Sequence, residues 1–314
     1  MSIEPFVDAY RSIVASLAAN DSLARVLSAG QVHAFGVGYK RSMDREHASV
    51  ALRFHVPKKV PLLSLARRAR IPAMLAGIVT DVIESSPSFA HAVDPRDRVD
   101  PVRPGVSIAG PAAATGTLGA LVRDASGQAM ILTASHVART HVANQREISQ
   151  PSPFDHPSPL AIASTARAEP AQWPVSSLTV DAAVAKLAPS VAFDARVLEI
   201  GPPGTPVEPS AALGQSVVKF GRSTEKTLGK VTEYPHHATL RVRIGGANHS
   251  VAYRDQLFIE SQNELCADGD SGALWMLART LEAVALHCGG GSNRKTAVAT
   301  PIGRVLATLG VTLA

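Results

Sequence analysis

A short glycine-rich segment near the end of the chain carries a serine in a setting suited to acyl transfer. The sequence reads Cys-Ala-Asp-Gly-Asp-Ser-Gly over residues 266–272, so Ser271 lies between Gly269 and Gly272. Glycine adopts backbone angles closed to other residues, so the chain can turn tightly there and free the hydroxyl and two main-chain N–H groups. A nucleophile beside such donors is what acyl transfer requires. We predict that Ser271 is a nucleophile, against the alternative of a structural serine in a turn.

A histidine and an aspartate upstream of Ser271 could supply the base and the group that orients it. His136 follows the apolar run Ile-Leu-Thr-Ala-Ser at 131–135, and Asp181 opens an apolar run that ends at residue 187. A serine hydroxyl is a weak nucleophile at neutral pH, and an imidazole with a pKa of roughly 6.5 can take its proton and return it. The structural alternatives are a core histidine and a strand-end aspartate. The ordered trio predicts a Ser-His-Asp triad.

These three segments, in this order, resemble the catalytic segments of the trypsin-like (chymotrypsin-fold) serine peptidases. The matching motifs are Thr-Ala-x-His ending at His136, Asp-x-Ala starting at Asp181, and Gly-Asp-Ser-Gly around Ser271. The resemblance implies a serine endopeptidase with His136 as base, Asp181 as its orienting partner and Ser271 as nucleophile. The N–H groups of Gly269 and Ser271 would form the oxyanion hole. In layout the chain is similar to bacterial intracellular members of the family and to the plant narrow-leaf type proteases.

Short apolar runs between glycine and proline signals recur from residue 106 onward, which is typical of an all-β sandwich or barrel. They cover residues 116–122, 129–134, 182–187, 216–220, 229–233, 240–244, 256–259, 273–277, 283–287 and 296–301. The resemblance selects a mostly β chain with two six-stranded antiparallel β-barrels and the site in the cleft between them. We expect a peptidase domain at 101–314, with a first barrel at about 106–205 and a second at about 206–314.

The first hundred residues predict a small α+β domain, 1–100, that includes a linker to the barrels. The predicted elements are helical segments over 5–28 and 62–70 and strands over 34–39, 48–56 and 76–84, with a further helix at 302–309. Residues 85–105 lack periodicity and are predicted to be the linker. A Pro-, Ser- and Ala-rich segment at 149–174 is predicted to be a loop that borders the cleft.

Asp270 poses a separate question. In secreted members of the family the matching aspartate pairs with a new N-terminus that proteolysis releases, which assembles the oxyanion hole. This chain shows no evident activation site ahead of the barrels. Either another basic group neutralises Asp270 or the enzyme is gated, and we favour a constitutively formed hole.

The S1 pocket, which would hold the substrate side chain before the scissile bond, is less well specified. By motif alignment Leu265 lies at its base, and Cys266 and His287 lie on its walls. An aspartate in place of Leu265 would mark cleavage after Lys or Arg, so the apolar residue argues against that specificity. The segment Ala-Leu-His-Cys-Gly-Gly-Gly at 285–291 resembles the wall of glutamate-specific members, whose histidine contacts the P1 carboxylate. We favour a small or apolar P1 residue over an acidic one, with His287 as a plain strand histidine as the default.

Composition narrows the classes of function. The chain has 314 residues, of which 46% are apolar and only 4% aromatic, which describes a folded core of Ala, Val, Leu and Ile. A net charge of +5 with 18% charged residues and no long basic run argues against nucleic-acid binding. Neither a secretory signal nor a membrane span is evident, so we expect a cytoplasmic protein without membrane contact. We expect Cys266 and Cys288 to be unbridged thiols there, and no cofactor or metal site.

The partners that follow are a protein or peptide substrate and a regulatory protein bound through the N-terminal module. The module itself could cover the cleft. Its one basic cluster is Lys58, Lys59, Arg67, Arg68 and Arg70, which is either a solvated face or a docking surface for an acidic partner. The alternative function is a catalytically silent, protease-like module that binds peptide or protein.

Overall fold

The computed structural model describes residues 7, 8, 10, 11, 27, 32–42, 45–75, 78–85, 93–111, 114–138, 146–244 and 246–314. Contacts between residues divide the chain into two compact units, Met1–Ala92 and Val93–Ala314. Within the described ranges, no helix has the length and apolar character that crossing a membrane requires.

A four-stranded sheet forms the first unit as far as it is described. Its strands are β1 (Ala34–Ser42), β2 (Arg45–Val56), β3 (Met74–Leu75) and β4 (Ile78–Glu84). The order across the sheet is β1-β2-β4-β3, with β2 and β4 parallel and the two outer pairs antiparallel. Leu52, Phe54 and Ile78 form its buried core, because apolar side chains on one face of a sheet must be covered.

The predicted helix over 62–70 is wrong. Two single 3-10 turns, Leu62–Ser64 and Arg67–Ala69, take its place, and the extended Leu65 separates them. Leu63 is 90% exposed, so no apolar stripe anchors a longer helix, and short helices without tertiary packing are marginal. The helical segment predicted over 5–28 lies mostly outside the described residues; residues 7, 8, 10, 11 and 27 of it are described and helical.

The first barrel is built from residues 106–187. Its elements, in chain order, are β5 (Ser107–Ala109), β6 (Thr115–Thr117), β7 (Ala120–Asp124), β8 (Ala129–Thr133), the one-turn helix α1 (Ser135–Ala138), β9 (Glu147–Gln150), β10 (Leu160–Glu169) and β12 (Ala182–Leu187). The short strand β11 (Ser177–Leu178) lies between β10 and β12 in the chain but belongs to the sheet of the second barrel. Only Leu118 and Gly119 separate β6 from β7: the Leu118 N–H donates to the Val106 carbonyl beside β5, and the Gly119 N–H donates to the Leu132 carbonyl of β8. The pairings β6-β5-β9-β10-β12-β8-β7 then close a ring of six antiparallel strands.

Two segments predicted to be irregular belong to this barrel. Residues 149–174 contain β10, which pairs on one side with β9 and on the other with β12. Alanine has low strand propensity, but two neighbouring strands satisfy the backbone and override it. In the predicted linker 85–105, Val99 and Val102 are buried in the core of the second unit, so the part of it after residue 93 is packed structure.

The second barrel follows in residues 204–301. Its elements are β13 (Gly204–Pro206), α2 (Pro209–Ala212), β14 (Ser216–Gly221), β15 (Glu225–Ile244), β16 (Ala247–Glu260), β17 (Leu274–Leu277), β18 (Glu282–Gly290) and β19 (Thr296–Pro301). The pairings β14-β15-β16-β19-β18-β17-β14 form a closed antiparallel ring of six. Two barrels of six strands each confirm the predicted fold class.

The chain returns to the first barrel after the second. The helix α3 (Ile302–Leu309) confirms the predicted helix at 302–309, and β20 (Val311–Leu313) pairs with β7. The buried face of α3 packs into the same hydrophobic cluster as the first barrel. Residues from both ends of the unit therefore share one core.

Candidate active site

Two adjacent strands of the first barrel bring His136 and Asp181 together. β8 ends at Thr133 and leads into α1, which carries His136, whereas Asp181 immediately precedes β12. These strands are antiparallel neighbours with Thr133 opposite Ala183, so the end of one lies beside the start of the other. The His136 Nδ1 atom lies 2.6 Å from Asp181 Oδ2, and the main-chain N–H of His136 donates to Oδ1 at 3.1 Å.

Each member of this pair stabilises the charged form of the other. The Asp181 carboxylate is fully buried and the His136 side chain is 15% exposed. Burial disfavours the charged form of either group, but the adjacent carboxylate outweighs it and raises the pKa of His136 above its usual value. The same pairing, against the opposing effect of burial, lowers the pKa of Asp181. An ionised Asp181 holds the Nδ1 proton and leaves Nε2 free to accept one.

Ser271 lies in residues 265–272, which precede β17 and are named the nucleophile loop for the role predicted for Ser271. The main-chain N–H of Thr117 donates to the Ser271 carbonyl at 2.8 Å, and that of Gly272 donates to the His287 carbonyl at 2.8 Å. Gly272 has a φ of +93°, and a Cβ there would lie 2.3 Å from the Thr133 hydroxyl oxygen. The loop is therefore packed directly against the end of the strand that leads to His136.

The Ser271 hydroxyl hydrogen-bonds to a main-chain carbonyl of β18. It donates to the Cys288 carbonyl at 3.4 Å, a long hydrogen bond. Among the hydrogen bonds of the described residues, the bond from this hydroxyl goes to that carbonyl and not to the His136 imidazole. Catalytic hydrogen bonds of unliganded enzymes are often long or misaligned.

The N–H groups of Gly269 and Ser271, predicted to form an oxyanion hole, make no hydrogen bond to any other described residue. Gly269 has a φ of +98°, a backbone conformation that favours glycine. Its carbonyl accepts from the Thr117 hydroxyl at 2.8 Å, and that hydroxyl oxygen in turn accepts from the N–H of Arg222 at 3.0 Å. Two segments outside the loop thus fix the peptide between Gly269 and Asp270.

A buried lysine neutralises Asp270. Lys219, on β14, places its ammonium 3.2 Å from the carboxylate, and neither side chain has any exposure to solvent. Burial opposes ionisation of Asp270, but the ammonium and the hydrogen bonds around it lower the pKa of the carboxyl below its usual value. The carboxylate also accepts from the Thr224 hydroxyl and from the N–H groups of Ser223, Thr224 and Ala267. The loop is thus anchored by an internal cation.

The residues predicted for the S1 pocket lie on a buried strand and a buried loop near Ser271. Leu265, Cys266 and His287 are each no more than 3% exposed. His287 Nδ1 accepts a long hydrogen bond from the Trp275 indole at 3.4 Å. Burial, together with the nearby Lys219 ammonium, lowers the pKa of His287 to about 3, so the ring is neutral.

The two cysteines are free thiols. The Cys266 sulfur donates to the Thr296 carbonyl at 3.3 Å, whereas the Cys288 sulfur lies 3.1 Å from the Thr300 hydroxyl. Burial raises the pKa of Cys266 to about 11 and raises that of Cys288 further. Thiols of this kind are protonated and unreactive at neutral pH.

Two residues of the site were not found from the sequence. Lys219 is the ion-pair partner of Asp270, and the phenol of Tyr253 donates to Asp181 Oδ2 at 2.7 Å. A lysine inside the apolar run at 216–220 was an available signal, because lysine is almost never fully buried unless it is paired. For Tyr253 the sequence offered no such signal.

Comparison with known proteins gives the fold. No protein-family model matches the chain, and no curated protein matches it. Among solved structures it is similar to a glutamic acid specific serine protease that uses a histidine triad in substrate binding, with 18% identity, a TM-score of 0.50, and coverage of 68% of this chain and 100% of the other. Protease A of Thermobifida fusca (19% identity, TM-score 0.48) and the chymotrypsin of Cellulomonas bogoriensis (18%, 0.49) cover the same 68%, and 99% and 98% of their own chains. The barrels of residues 93–314 therefore have the chymotrypsin-like fold of the serine proteases.

Proposed function

We propose that the second unit is a serine endopeptidase that hydrolyses peptide bonds through Ser271, His136 and Asp181. The observation that carries this function is the 2.6 Å contact between the buried Asp181 carboxylate and the His136 imidazole, beside the loop that presents Ser271. A base that is held in one tautomer by a carboxylate, next to a hydroxyl, is the arrangement that activates serine as a nucleophile.

The reaction begins when the Ser271 hydroxyl rotates from the Cys288 carbonyl toward His136 Nε2. His136 takes the proton while Oγ attacks the scissile carbonyl carbon, and Asp181 stabilises the imidazolium that forms. The imidazolium then protonates the leaving amine, which departs and leaves an ester on Ser271. His136 next deprotonates a water molecule, whose attack on the ester releases the acid and restores the hydroxyl.

The oxyanion of each tetrahedral intermediate would be stabilised by the N–H groups of Gly269 and Ser271. Loss of one such donor typically costs about 100- to 1000-fold in kcat. The buried pair of Lys219 and Asp270 supports a hole that needs no proteolytic cleavage, because the cation that the loop requires is already part of β14.

For specificity we propose a small or apolar P1 residue. Leu265 is apolar and fully buried, and His287 is neutral, so the predicted pocket residues supply no full positive charge to a P1 carboxylate. An acidic P1 residue is the alternative, because the neutral His287 ring still has one N–H to donate.

A fluorophosphonate probe tests the central proposal, since it labels only an activated serine. We expect the folded full-length protein to be labelled and Ser271→Ala and His136→Ala to abolish labelling. Turnover of peptides that differ only at P1 should then be higher for alanine or leucine than for glutamate. Absence of labelling both in the folded full-length protein and in folded residues 93–314 would overturn the proposal.

The alternative function is a silent module that binds peptide without turnover. The orientation of the Ser271 hydroxyl toward the Cys288 carbonyl is the observation that favours it. In that case peptides would bind to folded wild type and to Ser271→Ala with equal affinity, and no labelling would occur.

We further propose that the first unit regulates the peptidase, either by covering the cleft or by binding a partner protein. The proposal is motivated by a site that requires no cleavage to assemble, which leaves control to another part of the chain. Comparison of the whole chain with the second unit alone tests it, as set out in the Discussion.

A further inference from the structure

We propose that Tyr253 is a positioning residue of the peptidase: its phenol holds the Asp181 carboxylate in the orientation that aligns His136. This role rests on the proposed peptidase function. It means that β16 of the second barrel contributes a hydrogen bond that orients the triad, in addition to the triad residues carried by the first barrel and the nucleophile loop.

The contacts of the carboxylate show how the phenol acts. Asp181 Oδ1 accepts from the His136 main-chain N–H, and Oδ2 accepts from both the His136 ring at 2.6 Å and the Tyr253 hydroxyl at 2.7 Å. Asp181 and Tyr253 are fully buried, so water does not compete for these bonds. Two of the three donors belong to the residue that must be oriented, and Tyr253 is the independent one.

The long hairpin of β15 and β16 delivers this phenol across the two barrels. Tyr253 lies in the second barrel, where it pairs with Leu178 of β11; Asp181 follows three residues later, just before β12 of the first barrel. Its ring is packed in a separate buried cluster with Trp173, Leu178, Val242, Ile244, Val251 and Cys288. This cluster also contacts His136, because the Trp173 and His136 rings are edge-on to each other with their centroids 6.3 Å apart.

A second side chain of β16 fixes the same segment. The amide of Gln256 donates to the Thr179 carbonyl at 3.0 Å, and its oxygen accepts from the Thr300 hydroxyl at 2.8 Å. The backbone just before Asp181 is therefore tied to the second barrel both by strand pairing and by this amide. Because the backbone is held, the Asp181 carboxylate can still rotate about its side-chain bonds, and the hydrogen bond from the Tyr253 phenol restricts that rotation.

Other titratable groups near the pair are His287 and Cys288 of β18. His287 is neutral because burial lowers its pKa to about 3, and burial keeps the Cys288 thiol protonated by raising its pKa. The pKa of Tyr253 is raised well above its usual value, first by burial and then by Asp181, so the phenol stays a donor. Among the described residues, the charged group in contact with His136 across neutral pH is thus Asp181.

Removal of the phenol hydroxyl should change the base in a definite direction. A hydrogen bond donated to a carboxylate draws negative charge away from it. Without the bond, Asp181 stabilises the imidazolium more strongly but is held less well, so the pKa of His136 rises while kcat falls. Because Tyr253 is buried behind Asp181 and touches no substrate, KM should stay unchanged.

The test compares full-length wild type with Tyr253→Phe, which keeps the ring in its cluster. We expect kcat to fall about 10- to 100-fold, as for a hydrogen bond to a charged group, and the acid limb of the kcat/KM profile to move to higher pH. Tyr234→Phe, the same change on the neighbouring strand β15, is the matched control and should alter neither. Unchanged kcat together with an unchanged acid limb would overturn the role.

Titration of the His136 ring by NMR separates this inference from the proposed function. Its pKa should rise in Tyr253→Phe even if the protein proves to hydrolyse nothing, and the signal is assigned by its loss in His136→Ala. A 3,5-difluorotyrosine at position 253, a stronger donor, should lower the same pKa. If either substitution leaves the His136 titration unchanged in a folded protein, Tyr253 has no positioning role.

Discussion

Lys219 occupies a place in which a charged side chain is stable only with a partner. Its ammonium is fully buried on β14, 3.2 Å from Asp270 and 5.6 Å from the centre of the Trp275 ring. A further bond runs to the Thr224 hydroxyl at 2.8 Å. Removing one member of a buried pair leaves an uncompensated charge and costs about 3–5 kcal/mol. The stability of the second unit and the shape of the nucleophile loop therefore depend on the same contact.

Lys219→Met should lower the free energy of unfolding by about 3–5 kcal/mol and abolish fluorophosphonate labelling. Urea unfolding and labelling measure the two effects. The exposed Lys230→Met on β15 is the control and should change neither. Lys219→Met combined with Asp270→Asn should recover much of the stability without the labelling, whereas full labelling of Lys219→Met would contradict the role of the pair.

The pH dependence of this pair follows from the lowered pKa of Asp270. A carboxyl whose pKa is lower in the folded state than in the unfolded state stabilises the fold above the unfolded value, and this stabilisation is lost as the pH falls through the folded value. The contribution of Asp270 should therefore persist through neutral pH and disappear only in acid, below its ordinary value of about 4.

At the residue level, local motifs predicted the candidate triad but not the groups that support it. Ser271, His136 and Asp181 are recognisable in the sequence because each ends or starts an apolar run or lies between glycines, features that can be read within a few residues. Lys219 and Tyr253 act on residues 51 and 72 positions away. Their partners are set by which strands face each other, and one sequence does not show that.

The nucleophile loop is the element with the least room for change. A Cβ on Gly272 would lie 2.3 Å from the Thr133 hydroxyl oxygen, 2.5 Å from the Thr117 carbonyl oxygen and 3.0 Å from the Ala134 nitrogen. Two of these atoms are main chain, so the clash is relieved only if the loop moves away from the first barrel.

Gly272→Ala should therefore lose labelling and lower the melting temperature, since it combines this clash with a positive φ that costs about 1–3 kcal/mol. Gly127→Ala is the matched control, because Gly127 has a φ of +81° but open space around its Cβ. Gly127→Ala should lower the melting temperature only through its strained backbone angle, and it should still be labelled. Equal effects of the two substitutions would show that the contact with the first barrel is unimportant.

At the level of elements, strands with a continuous apolar run were predicted well and those without one were missed. β8, β12, β14 and β19 matched because both of their faces are buried, which enriches them in Val, Ile, Leu and Ala. The Pro-, Ser- and Ala-rich composition of residues 149–174 predicts a loop and gives no sign of β10. The predicted strands 229–233 and 240–244 proved to be two parts of β15, whose exposed middle hides the connection.

The whole molecule consists of two units with separate cores, and this allows the regulatory proposal to be tested. Residues 95–100 belong with the barrels, since the Pro95 carbonyl accepts from Ser107 and the Asp97 carbonyl accepts from Gln150. A truncation that aims to isolate the peptidase should accordingly start at Val93, the first residue of the second unit.

Deletion of residues 1–92 should raise the rate of peptide turnover if the first unit restrains the site, by about 5- to 150-fold for a coupling of ordinary size. Turnover of a short peptide by the whole chain and by residues 93–314 measures this, with Ser271→Ala in each as the blank. Addition of the separate first unit should restore the restraint. Equal rates for the two proteins would remove the proposal that the first unit covers the cleft.

The return of the chain to the first barrel affects when the site can assemble during synthesis. β20 pairs with β7, and α3 fills the core that β8 and β12 share. These segments emerge from the ribosome after all three proposed triad residues. A nascent chain that has exposed its serine, histidine and aspartate still lacks the strand and helix that complete the barrel carrying two of them. The protein should therefore become able to cleave other proteins only after the whole second unit has emerged from the ribosome. Until then, its own nascent chain is not exposed to an assembled site.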